Sequence, residues 1–295
     1  MIGNYVANMM IAPGKSPVFN NPQDFGLDYE DVTFKASDGV TLSGWLIKGG
    51  TDKVIIQSHF GVQCSRAGYT PKGKGFSPMW KTDISFLNQA KYLVDAGYSV
   101  LMYDLRNHGN SEAGTNPYIT WGVEEAKDAI AAVDFITNHP EYQSCTIGLL
   151  SICMGQSATT TAYGREDGLQ NYDNIKALIS VQPLTYEKFV QALGFPKFVI
   201  NRANKVIQQK TGIDFNENNF MANVKDITVP TLVIQNKNDP WTNRELVNEY
   251  YERLNVEKEL LWLDLEEQRA AGYDWLGKNS AVILEWFGKY NLSSG

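Results

Sequence analysis

One thiol stands out for its setting. Cys153 lies between an apolar run of strand type, Thr146 to Leu150, and a stretch of small, helix-compatible residues from Met154 to Ala162. A sharp turn between such elements lifts one side chain above the sheet at the start of a helix. The unpaired N–H groups and the dipole there favour negative charge. A thiolate held in that place is a nucleophile suited to covalent acyl chemistry. The spacing Ser151-x-Cys153-x-Gly155 is that of a nucleophile elbow, with Ser at the first small position and Cys at the nucleophile position.

The elements that must position this thiol alternate along the chain. Strand patterns occur at 31–36, 40–47, 53–58, 98–103, 146–150, 176–181, 230–235 and 259–263. Amphipathic helices separate most of them, one from Ile84 to Val94, one over Val123 to Val133, one around Leu246 to Leu254 and a closing one from Ser280 to Tyr290. That order predicts a mostly parallel central sheet with helices on both faces. Residues 183–228 break the pattern and read as a helical cap inserted between two strands of one sheet. Residues 1–27 read as a leading segment packed on a single domain spanning 1–295. In open sheets of this kind ligands bind beyond the carboxyl ends of the strands. His59, Asp104, Cys153 and Asp239 all fall at or just after such ends.

Composition narrows the partners. A formal net charge of −7 argues against nucleic acid and anionic membranes as main partners. Three cysteines form no disulfide framework in a chain of 295 residues, which points to a reducing, cytoplasmic setting. No phosphate-binding glycine motif and no metal-ligand spacing is present, so neither a cofactor nor a metal is expected.

Taken together, the hairpin at 31–47, His59-Phe60-Gly61, Asp104-Leu105-Arg106-Asn107-His108-Gly109-Asn110-Ser111, the Cys153 elbow and Asp239 resemble the α/β-hydrolase superfamily over about residues 28–290. The cysteine in the elbow is similar to that of dienelactone hydrolases. The resemblance implies an α/β-hydrolase fold and an acyl enzyme: an esterase, thioesterase or acyltransferase working through acyl-Cys153. It implies Cys153 as nucleophile, Asp239 as the acid, and an oxyanion hole from the N–H groups of Met154 and Phe60.

The superfamily's histidine has no counterpart after the last strand. Residues 265–273 hold none, and the chain has only His59, His108 and His139. His59 is carried as a candidate for proton transfer, with Glu266 and Glu267 as other bases. A non-hydrolytic lyase or cyclase, or a binding protein without turnover, stands as the alternative. Aromatic residues around the expected pocket, among them Phe76 and the candidate substrate contacts Trp80, Trp121 and Trp241, suggest a small hydrophobic or aromatic acyl substrate. A homodimer is left open.

Overall fold

The computed structural model describes residues 2–73 and 78–290; Phe76 lies outside them. The chain opens with α1 (Ile2–Ile11). The hairpin β1 (Tyr29–Lys35) and β2 (Thr41–Ile47) follows, then β3 (Lys53–Ser58) and a short ribbon of β4 (Gly68–Tyr69) and β5 (Ile84–Ser85). Next come α2 (Leu87–Asp95), β6 (Ser99–Tyr103), α3 (Ala126–Thr137), β7 (Thr146–Ile152), α4 (Met154–Tyr163) and β8 (Ile175–Val181). Two helices, α5 (Tyr186–Ala192) and α6 (Lys197–Thr211), precede β9 (Thr231–Asn236). The chain closes with α7 (Arg244–Arg253), β10 (Lys258–Leu263), α8 (Arg269–Lys278) and α9 (Ser280–Tyr290).

Eight strands form one sheet in the order β1-β2-β6-β3-β7-β8-β9-β10. The β1–β2 and β2–β6 pairs are antiparallel, and all others are parallel. The central strands are apolar on both faces because helices cover both. In β3, Val54 and Ile56 enter one core while Ile55 enters the other. In β7, Ile147 and Leu149 face the first and Leu150 and Ile152 the second. The helix expected from Ile84 begins at Leu87, because Ile84 and Ser85 pair with Tyr69 and Gly68 instead.

A third, smaller core lies above the carboxyl ends of the strands. Val6, Ala7, Met10 and Ile11 of α1 pack against Val199, Ala203 and Ile207 of α6 and against Tyr186 and Val190 of α5. The leading segment therefore packs on α5 and α6. Its end is also tied to the body, since Ile119 N–H donates to the Ile11 carbonyl and Gln63 N–H to that of Pro13. Among the described residues no helix is long and apolar enough to cross a membrane.

Candidate active site

The turn after β7 is built for close approach. Cys153 has φ 51° and ψ −105°, a left-handed conformation that costs a non-glycine residue about 1–3 kcal/mol and persists only where the surroundings enforce it. Here they do. Cys153 N–H donates to the Val181 carbonyl, and Gly155 N–H to that of His59. A Cβ on Gly155 would come within 2.5 Å of the Ser58 carbonyl oxygen, so only glycine fits between α4 and β3. Ser151, where the elbow pattern has glycine, is accommodated because its hydroxyl shares a buried hydrogen bond of 2.8 Å with Thr159.

The loop after β3 is pinned from below. Asp104 is buried and accepts from Arg66 N at 2.6 Å, Arg66 Nη1 at 2.6 Å and Asn110 N at 2.8 Å. His59 is held by main chain at both nitrogens. Leu105 N–H donates to Nε2 at 3.0 Å, which makes Nδ1 the protonated nitrogen, and Nδ1 donates to the Phe60 carbonyl at 2.6 Å. Burial, aided by neighbouring His108, depresses its pKa to about 3. Proton transfer by His59 is thus corrected: neither nitrogen is free to take a proton from the thiol, and the ring holds Phe60 and Leu105 in place.

This assignment predicts a nuclear magnetic resonance result. His59 should show the Nδ1–H tautomer with no titration between pH 8 and pH 5. The sign for stability follows. An unfolded histidine binds a proton below about 6.5, whereas the folded one stays neutral until about 3. The group therefore withdraws stability as the pH falls through that window. A His59 resonance that titrates near pH 6.5 contradicts the assignment.

At the far side of Cys153 stands a residue that the sequence reading passed over. Arg269, the first residue of α8, lies just after the last strand, where the resemblance placed a histidine. It is fully buried. Its Nη1 pairs with Asp239, its Nη2 donates to the Gln182 carbonyl, and its Nε donates to the Tyr273 hydroxyl at 2.6 Å. Gln182 returns a bond from Nε2 to the Arg269 carbonyl at 2.9 Å. Cys153 lies close enough to Arg269 and Tyr273 to interact electrostatically with both. Burial opposes the guanidinium charge, but Asp239, Tyr273 and Cys153 around it outweigh that cost and hold its pKa above the ordinary arginine value. Burial likewise drives the Tyr273 hydroxyl well above its usual range, so it remains a phenol and a hydrogen-bond donor.

Asp239 is fixed in turn. It accepts from Trp241 N at 2.9 Å and from Gln235 Nε2 at 3.2 Å as well as from Arg269. The structure thus aligns Asp239, Arg269 and Cys153. A guanidinium is permanently protonated and cannot act as the base of such a row. Glu266 and Glu267 are exposed on the preceding loop, and Glu266 accepts from Gln268 on the surface. Neither lines the cavity in front of Cys153.

That cavity has a volume of about 400 Å³, and its wall is mainly apolar. Cys153, Met154, Phe60 and Gly61 form its floor, and Trp80, Trp121, Trp241 and Phe189 its walls. The rings are mutually braced. Trp80 stacks on Trp241 at 5.8 Å, Trp241 meets Phe189 edge-on at 4.9 Å, and Phe189 leans on Trp121 at 5.4 Å. Tyr273 stacks on Phe60 at 4.5 Å, which fixes the phenol beside the thiol. All three tryptophans singled out in the sequence share this cavity with Cys153. As the first residue of α4, Met154 has an N–H without an intrahelical acceptor. Among the described residues no group of His, Cys, Asp and Glu could hold a metal ion.

No family model matches the sequence, nor does any curated protein sequence. Solved structures do. An esterase of Pyrococcus furiosus, Pf2001, is 24% identical with a TM-score of 0.66, over 95% of this chain and 99% of that one. An acylaminoacyl peptidase of Pyrococcus horikoshii is 17% identical with a TM-score of 0.61, over 91% of this chain and 42% of that one. A dienelactone hydrolase of Anabaena variabilis is 17% identical with a TM-score of 0.58, over 90% and 98%. The chain has the α/β-hydrolase fold.

Proposed function

We propose that this protein is an acyl enzyme of the α/β-hydrolase fold that moves hydrophobic acyl groups between thiols through acyl-Cys153. The observation that carries this reading is Arg269, an ion-paired cation in the place of a general base beside Cys153. A thiol gives up its proton far more readily than a serine hydroxyl does, so in this reading the nucleophile needs no base on the protein.

Each half-reaction then balances without a proton carried by the protein. The Cys153 thiolate adds to the carbonyl carbon of an acyl thioester, forming a C–S bond. The N–H groups of Met154 and Phe60 receive the oxyanion. The tetrahedral adduct collapses, and the donor's C–S bond breaks to release a thiolate, which needs no general acid. Reversal with a second thiolate delivers the acyl group and regenerates Cys153. Alkyl esters and amides are poor donors here because their leaving groups must be protonated as they depart. Water is a poor acceptor because nothing in the site deprotonates it. The apolar cavity over the sulfur supports a hydrocarbon or aromatic acyl chain.

The test is a single-turnover reaction with the decanoyl thioester of N-acetylcysteamine, followed by intact-protein mass spectrometry. The expected result is one decanoyl adduct per chain, located on Cys153 by peptide mapping and released by added thiol. Lack of any adduct would instead favour the second reading, a binding protein that keeps the cavity without turnover.

A further inference from the structure

The cap that closes the cavity carries an unusual surface. Residues 186–211 contain five Lys or Arg (Lys188, Lys197, Arg202, Lys205 and Lys210) and a single acidic residue, Glu187, in a chain of net charge −7. Among the described residues none of the five forms a salt bridge, whereas Lys91, Lys127, Arg253 and Lys278 on other helices all pair with carboxylates. Large apolar side chains are exposed on α6 and on α1, which packs against it. Phe198 is 72% exposed, Tyr5 69% and Ile2 56%. Met9 and Leu193 are both exposed and part of the cavity lining, so the patch meets the cavity there. Lys210 reaches the same rim, donating to Asn8 Oδ1 at 2.6 Å. α1 contributes no charge of its own.

Taking the thioester chemistry above as given, we infer that the face formed by α1, α5 and α6 docks an acidic protein that presents its acyl group as a thioester on a flexible arm. The charge of the cap is complementary to such a partner and opposite to that of the rest of the chain. Exposed aromatic anchors flanked by basic residues fit a protein interface better than they fit a small thioester, which would leave Phe198 and Tyr5 uncovered. A lipid surface also meets apolar side chains among basic ones. Its glycerol esters, however, release alkoxides, far poorer leaving groups than thiolates, and no histidine stands at Cys153 to protonate them.

The test compares two donors of one acyl group: a decanoyl-loaded acidic acyl carrier protein and the decanoyl thioester of N-acetylcysteamine. Acylation of Cys153 is followed by mass spectrometry, and binding of the unloaded carrier by fluorescence anisotropy. The carrier should donate at least about tenfold faster per mole, an advantage that added salt erases because the attraction is screened. The Lys197→Glu/Lys205→Glu variant should lose carrier binding and that advantage while its rate with the small thioester stays unchanged. Phe198→Ser should weaken carrier binding in the same way. Equal rates from both donors with no measurable carrier binding would overturn the inference. So would binding to phosphatidylglycerol vesicles that the charge reversals abolish while carrier binding is absent. If neither thioester acylates Cys153, the chemistry fails, and carrier binding to the wild-type protein still decides the docking surface by itself.

Discussion

Arg269→Met is expected to slow acylation of Cys153 by about two orders of magnitude, the loss typical when one preorganised electrostatic group is removed from an active site. It should also destabilise the fold by about 3–5 kcal/mol, because the Asp239 carboxylate is left buried and unpaired. The two effects separate in a second variant. Arg269→Met/Asp239→Asn removes both charges, so it should recover much of the lost stability. Its acylation rate should stay as low as that of the single variant. Denaturant unfolding and rapid-quench mass spectrometry read the two quantities independently. Recovery of both together would make Arg269 a purely structural residue and end its role at the sulfur.

Cys153→Ser should slow acylation still more. In a triad with histidine, a serine hydroxyl gives up its proton to the ring as it attacks. Here the neighbour is a guanidinium that accepts nothing. An alkoxide is far harder to form than a thiolate, so acylation by a thioester should fall by about three orders of magnitude or more. Stability should change little, since the two side chains are close in size and Cys153 is only half-buried. Cys153→Ala should give no adduct at all. A serine variant with near wild-type acylation would show that a base acts on residue 153.

The sheet was readable from the sequence because its central strands are apolar on both faces, a pattern that local periodicity exposes. The elbow was readable because a strand, a turn and small residues in that order leave little freedom. Gly155 shows why, lying against the Ser58 carbonyl. The first helix was harder. Ile2–Ile11 has no charged residue and no acidic first turn, and its apolar face gains its meaning from α6, some two hundred residues later. The helix at 269–278 was missed for the same reason. Its amphipathic pattern is weak, and its first residue is buried by an ion pair with Asp239, 30 residues earlier in the chain.

Arg269 itself stood in the stretch where a histidine was sought. A signal was present: the one basic residue there precedes Ala270-Ala271-Gly272, a run too small and apolar for a surface. His59 misled in the opposite direction. Its type suggested proton chemistry, but only the coordinates show that Leu105 N–H and the Phe60 carbonyl occupy both ring nitrogens.

The most direct measurement is the fate of isolated acyl-Cys153. Decanoylated protein is freed of donor and divided between buffer alone and buffer with a small thiol, and the adduct is followed by mass. With Arg269 in the base position, the adduct should persist in buffer over many turnover times and vanish rapidly when the thiol is added. Loss at the same rate in both samples would mean that the site activates water, contradicting the claim that the row Asp239–Arg269–Cys153 makes a nucleophile without making a base.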